Sequence, residues 1–212
     1  MTPLLAKLRH RSVFKTYSSN LADITVAKGA RIIDIGAGDL VVRKIYNDSD
    51  THYAAFDPMI AEIKVGTGKS GDQLISDYFC PEYVQGELFS HVFLLTVVDE
   101  INDKKAFLSS IKQIMRDETI LIVAVRNLSF PFRLRKSVEQ KVDSELVDDL
   151  TYSEWVSLFN QFEIISIKKF NRPIFSLSIP VIFKQAVIRL LDWFLPVKRA
   201  YMIRFVMKKK IV

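Results

Sequence analysis

One apolar run ending in a glycine-punctuated turn, Arg31-Ile32-Ile33-Asp34-Ile35-Gly36-Ala37-Gly38-Asp39-Leu40, constrains this chain more than any other stretch. Its isoleucines suit a central strand covered on both faces, as in a parallel sheet. Gly36 and Gly38 let the backbone turn sharply and lie bare against a ligand. Residues 40–46 then start a helix, whose first N–H groups lack intrahelical partners and face whatever sits over the glycines. Strand, glycine turn and helix in this order predict a nucleotide-type cradle.

Asn47-Asp48-Ser49-Asp50 closes the helix with a turn, and Thr51 to Phe56 reads as a second strand that ends in Asp57. The result is a βαβ unit with an acidic residue about twenty positions beyond the glycines. A carboxylate so placed accepts hydrogen bonds from both hydroxyls of a ribose. The alternation then continues. Residues 73–76 form a short third strand, 92–98 a fully buried fourth with Asp99 and Glu100 at its carboxyl end, and 119–125 a fifth. Asn102 or Asp103 caps the intervening helix, which shows Phe107, Leu108, Ile111, Ile114 and Met115 on one face. Thr151-Tyr152-Ser153-Glu154 has the form of a capping box and opens a further helix carrying Trp155, Leu158 and Phe159. Residues 162–170 and 200–207 supply the last two strands. Such alternation predicts a doubly wound parallel sheet with its ligand beyond the strand carboxyl ends, which carry Asp34, Asp57, Asp99, Glu100, Arg126 and Asn127.

Apolar residues make up 49% of the 212 positions and charged residues 25%, so the chain folds around a core, and no linker-like composition divides it. A single domain over residues 1–212 is expected. The net charge of +6 admits an anionic partner: nucleic acid, an acidic lipid surface or a phosphorylated substrate. Cys80 stands alone, which excludes a disulfide framework and a cysteine metal cluster, and its expected role is a small buried hydrophobe. A lone cysteine and an N-terminus without a long apolar core predict a cytoplasmic location.

Three segments frame the ligand side. Residues 1–30 form an N-terminal helical segment, in which Leu4, Leu5, Leu8, Val13, Phe14, Tyr17 and Leu21 recur at helical spacing. It packs on the sheet or covers a substrate. Residues 129–136 mix Phe130 and Phe132 with Arg133, Arg135 and Lys136, a composition suited to a substrate lid or a surface loop. Residues 171–199 form a long apolar connection. The wide apolar face of residues 174–195 is expected to be buried against the body, shared in a homodimer, or laid on the inner face of a membrane as a peripheral contact. Lys184, Arg189 and Asp192 make it a poor membrane span.

A dinucleotide oxidoreductase would carry a third glycine three residues after Gly38, where this chain has Val41. The motif Asp34-Ile35-Gly36-Ala37-Gly38, together with Asp57, instead resembles the class I S-adenosylmethionine-dependent methyltransferases, particularly the small bacterial type 11 group. The resemblance runs in good register over residues 31–127. It implies that Asp34, Gly36 and Gly38 hold the methionine part of S-adenosyl-L-methionine, that Asp57 holds the ribose, and that Ser76, Asp77 and Tyr78 contact adenine. The stretch from Phe89 to Ile101 is similar to the family's fourth-strand motif, which sets Thr96 and Val97 beside the cofactor. Leu40, Ser90 and the pair Asp99-Glu100 depart from the family pattern. The architecture expected is an α/β, doubly wound, Rossmann-like sheet of seven strands, mostly parallel, with an antiparallel terminal strand and a helical insertion before the last strand.

Methyl transfer asks little of side chains beyond alignment and exclusion of water. A hydroxyl acceptor also benefits from a general base, for which Glu100, Asp99 and His91 are the candidates. No spacing resembles a metal site. The function expected is methyl transfer to a small molecule or a glycan- or lipid-linked intermediate. An RNA or DNA methyltransferase and a catalytically silent binding subunit are the alternatives.

Overall fold

The computed structural model describes residues 14, 17–60, 71–129, 150–169 and 194–211. Seven strands form one sheet in the order β3-β2-β1-β4-β5-β7-β6. They are β1 (Arg31–Ile35), β2 (His52–Phe56), β3 (Gln73–Ile75), β4 (His91–Leu95), β5 (Ile120–Arg126), β6 (Phe162–Lys169) and β7 (Met202–Lys209). The first five pair in parallel, and β7 runs antiparallel to both β5 and β6. The expected sheet is therefore present, and β7 is its reversed strand.

Alternation along each strand divides the core into two layers. Ile33, Ile35, Val92, Leu94, Leu121, Val123 and Phe205 face one way, toward helices α2 (Lys104–Ile114) and α3 (Tyr152–Leu158). Ile32, Phe93, Leu95, Ile122 and Met202 face the other way, toward Tyr17, Leu21 and Val42 of helix α1 (Val41–Ile45). Burial on both faces explains why the strands read as unbroken apolar runs. Asp103 caps α2 by accepting from the Ala106 N–H at 2.9 Å, and Thr151 and Glu154 form the anticipated capping box of α3.

Two expectations are corrected. The fourth strand ends at Leu95, three residues early, because Thr96 takes a left-handed conformation (φ 68°) and residues Val98–Glu100 coil into a 3-10 turn. Cys80 is exposed and its thiol donates to Glu82 at 2.5 Å, since it stands at the entry to the 3-10 turn Pro81–Val84 and not on a strand.

The chain before β1 is tied across the second layer. Buried Arg204 of β7 donates to both oxygens of Asp23 at 2.7 Å, and the Tyr46 hydroxyl donates to the carbonyls of Leu21 and Ile24 at 3.1 and 3.2 Å. Most of the expected N-terminal helix, the lid from residue 130 onward, and the connection from 171 to 193 lie outside the described residues. Among the described residues, no helix is long and apolar enough to cross a membrane.

Candidate active site

The parallel strands bring Asp34, Gly36, Gly38, Asp57, Thr96 and Val97 together at one end of the sheet. The exits of β1 and β2 are laced by backbone bonds, with Gly36 N–H and Ala37 N–H donating to the Phe56 carbonyl at 2.8 and 3.2 Å. Gly36 is required twice over. Its φ is +71°, and a Cβ built on it would lie 2.6 Å from the Cβ of Val97. The exits of β1 and β4 thus close on each other at a point where only a bare backbone fits. Gly38 differs: with φ at +45° it faces open space, with no atom within 4 Å of a Cβ built there. Its N–H donates to Oδ2 of Asp57 at 2.9 Å, while Oδ1 of Asp57 accepts from the Met59 N–H at 2.8 Å. The carboxylate is held by backbone donors from two loops before any ligand arrives, and each oxygen retains a lone pair for a hydroxyl.

Among the described residues, two that are not glycine share the left-handed region, Leu40 (φ 54°) at the start of α1 and Thr96. For β-branched Thr96 this is a strained conformation, and its neighbourhood holds it there: its N–H donates to the Ala124 carbonyl at 2.8 Å. Thr96 directly follows the carboxyl end of β4, and Leu40 closes the glycine turn that follows β1.

Asp34 behaves differently from Asp57. Its carboxyl is 1% exposed and accepts from the Tyr53 hydroxyl at 2.6 Å. Burial pushes its pKa up to about 7; the Tyr53 hydrogen bond works against this shift and the charge of Asp57 adds to it. Arg43 lies 5.6 Å from the Tyr53 ring and forms a buried pair with Asp72, whose carboxylate accepts at 2.8 and 2.9 Å. Tyr53 was not anticipated as a partner of Asp34, although alternation puts the two side chains on one face of neighbouring strands.

The stretch after β3 comes to the same end of the sheet. The Ser76 hydroxyl donates to the Pro58 carbonyl at 3.1 Å, next to Asp57. The Asp77 carboxylate accepts from the Tyr78 N–H at 2.7 Å and from the Tyr83 hydroxyl at 2.9 Å. Tyr78 is 76% exposed, and Phe79 packs edge-on against Phe56 at 5.4 Å between ring centres.

The three general-base candidates separate sharply. His91 begins β4, at the opposite end of the strand from the site, where its Nδ1 meets the Ser90 hydroxyl at 2.9 Å. Burial holds its pKa below the usual histidine value. A base four residues back along a strand is out of reach of an acceptor beyond Leu95, so His91 is removed from the set. Asp99 is fully buried and accepts from Arg126 through both the backbone N–H, at 3.1 Å, and Nε, at 2.8 Å. Burial pushes its pKa up, against the pull of Arg126, but its position makes it a partner of that side chain and not a base open to an acceptor. Glu100 is exposed at the end of the 3-10 turn, directly after the residues that border the cradle.

Beyond β5, the Trp155 indole donates to the Arg126 carbonyl at 2.8 Å. Buried Asn127 donates to the carbonyls of Lys198 and Ala200 at 3.1 and 2.8 Å and accepts from the Ser129 N–H. A separate hollow of about 350 Å³, between Pro81–Val84 and the last turn of α2, opens at the amino ends of the strands and takes no part in this site.

No family model matches the chain. Over 133 residues it is 26% identical to the ubiquinone biosynthesis O-methyltransferase of Rhodopseudomonas palustris (strain BisB5), covering 60% of this chain and 52% of that protein. The chain therefore spans about half the length of this curated relative. Among solved structures, it superposes on the methyltransferase complexed with the Trm112 methyltransferase activator of Haloferax volcanii with a TM-score of 0.70 and 13% identity, covering 97% of this chain and 93% of that one. It superposes on an S-adenosylmethionine-dependent methyltransferase of Thermotoga maritima with a TM-score of 0.65 and 16% identity, covering 96% and 92% of the two chains. The 1,6-didemethyltoxoflavin-N1-methyltransferase of Burkholderia thailandensis, solved with its substrate and S-adenosylhomocysteine, gives a TM-score of 0.62 at 14% identity, over 96% and 81%. The chain has the class I methyltransferase fold.

Proposed function

We propose that the protein is an S-adenosylmethionine-dependent methyltransferase that acts on a hydroxyl of a small molecule or of a glycan- or lipid-linked intermediate. The observation that carries this reading is the cradle itself: open space over left-handed Gly38, whose N–H steadies the Asp57 carboxylate at the exits of β1 and β2. The fold and the similarity to a curated O-methyltransferase support the same reading.

In this reading Asp57 accepts from the ribose hydroxyls, and the backbone at Gly36 and Gly38 lies against the methionine portion. Asp34 supports that turn from beneath. Ser76, Asp77 and Tyr78 flank the adenine, and Thr96 and Val97 form the wall toward the acceptor. The bound cofactor supplies a methyl group already activated on a sulfonium, so the remaining demands on the protein are alignment and exclusion of water. Glu100 takes the proton from the acceptor hydroxyl.

A thermal-shift comparison tests the nucleotide preference. S-adenosylmethionine at 100 times its dissociation constant is expected to stabilise the folded chain by about 2.7 kcal/mol, while NAD at the same concentration leaves the melting temperature unchanged. Stabilisation by NAD alone would assign the cradle to a dinucleotide and end the reading.

A further inference from the structure

We propose that Asp34 and Tyr53 form a buried charge sensor, through which the cradle favours a cationic methyl donor over the by-product that has lost the sulfonium charge. Asp34 gives a proton to solvent as the donor enters and takes one back once the sulfonium is consumed. This deepens the methyltransferase reading and rests on it for the identity of the cation.

Asp72 and Asp99 are buried beside a cation, and Asp34 is not. Asp72 meets Arg43 at 2.8 Å, and Asp99 meets Nε of Arg126 at 2.8 Å. Asp34 is as deeply placed, at 1% exposure, yet its partner is the neutral hydroxyl of Tyr53. A carboxylate hidden from water without a cation is costly, so such a group keeps its proton until positive charge arrives.

The described groups around Asp34 do not supply that charge. On β2, Tyr53 shares its face, and Asp57 at the strand exit adds a second negative charge. On α1, Arg43 is committed to Asp72, and Lys44 donates to the Asp39 carbonyl at 2.6 Å. From β4 this layer receives Phe93 and Leu95, with His91 at the far end of the strand. The segment before β1 contributes Tyr17 and Leu21, the Tyr46 hydroxyl ends on the carbonyls of Leu21 and Ile24, and Arg204 of β7 is tied to Asp23. Burial and the charge of Asp34 hold the Tyr53 hydroxyl well above the usual tyrosine pKa, so the titrating member of the pair is Asp34, at about 7.

The effect of Asp57 on Asp34 means that charge at the cradle is felt beneath it. Asp34 lies two residues before Gly36, and the Gly38 N–H donates to Asp57, so the glycine turn joins the two carboxyl groups. S-adenosylmethionine brings a sulfonium that S-adenosylhomocysteine lacks. It therefore favours ionised Asp34 more strongly and lowers its pKa further. By linkage, affinity for the donor rises as pH approaches 7 from below, and rises more than affinity for the by-product.

Calorimetric titration of each ligand into the full chain, in two buffers of different ionisation enthalpy from pH 5.5 to 7.5, counts the protons released on binding. D34N retains the ligands' own ionisation and lacks that of Asp34, so the contribution of Asp34 is read as wild type minus D34N. That difference is expected to be larger with S-adenosylmethionine than with S-adenosylhomocysteine. The ratio of the two affinities in wild type, relative to D34N, should rise in favour of the donor at least about threefold across the range. Y53F removes the hydrogen bond that favours the ionised carboxyl and should move the pH of maximal release upward. It decides the matter alone if D34N no longer binds. No difference from D34N, an equal difference with both ligands, or an unmoved maximum in Y53F would overturn the proposal and leave the methyltransferase reading in place. Failure of wild type to bind either ligand would end that reading and the proposal together.

Discussion

The carboxyl ends of β1, β2 and β4 and the carboxyl end of β5 belong to one sheet, yet they are built by different means. At the first three, backbone conformation does the work: left-handed Gly36, Gly38 and Thr96, a glycine pressed on Val97, and a carboxylate held by two backbone N–H groups. At the fourth, side chains do it: Asp99 on Arg126, Trp155 on its carbonyl, and Asn127 on the carbonyls of residues 198 and 200. A backbone cradle binds what any member of a fold class binds. A side-chain cluster is free to vary and sets what is particular to one chain.

The largest expected effect comes from the carboxyl group buried on the backbone side, that of Asp34. Asp34 is protonated in the folded chain up to about pH 7, whereas its unfolded counterpart ionises near 3.8. Between those values the folded state holds more protons, so this group's contribution is fully present below pH 3.8 and is lost as pH rises through 7. D34N removes the titration while keeping an acceptor for Tyr53. It should be more stable than wild type at pH 8, by up to about 4 kcal/mol, and the gap should close by pH 4. Urea melts across that range check it.

Next is the contact between the β1 and β4 exits. G36A combines a left-handed alanine with a Cβ collision and should cost about 3 kcal/mol in chemical denaturation, with V97G restoring part of the loss. If the backbone account of this end is wrong, G36A will be nearly silent. On the side-chain end, N127A leaves the buried Ala200 carbonyl, the Lys198 carbonyl and the Ser129 N–H without their partner and should lower stability by about 2 kcal/mol. The smallest effect is a gain: T96G relieves a β-branched residue in the left-handed region and should stabilise the fold by about 1 kcal/mol. A loss there would mean that Thr96 contributes contacts worth more than its strain.

The same division explains what the sequence made legible. Glycine spacing, an acidic residue after the second strand, and apolar runs of strand length are local signals, and they led to the sheet, its order of elements and the Asp57 position. Residues held by long-range packing were harder to read. The turn at Thr96 cut β4 short because it meets the Ala124 carbonyl from the next strand, which no local propensity encodes. His91 lies in the same stretch as Glu100, and only the direction of β4 tells that the two occupy opposite ends. Asp99 and Glu100 are adjacent in sequence and fall on opposite sides of the surface, one under Arg126 and one in solvent. Cys80 looked like a core residue by type, but the turn it precedes turns it outward.

The claim on which everything else depends is that the Asp57 carboxylate beside Gly38 receives an adenosyl cofactor. Calorimetric titration of S-adenosylhomocysteine into wild type and D57A tests it in one experiment. Saturable binding by wild type, weakened at least about tenfold in a D57A variant that still melts cooperatively, is the predicted result. Identical binding by the two proteins, or no binding by either, would contradict it.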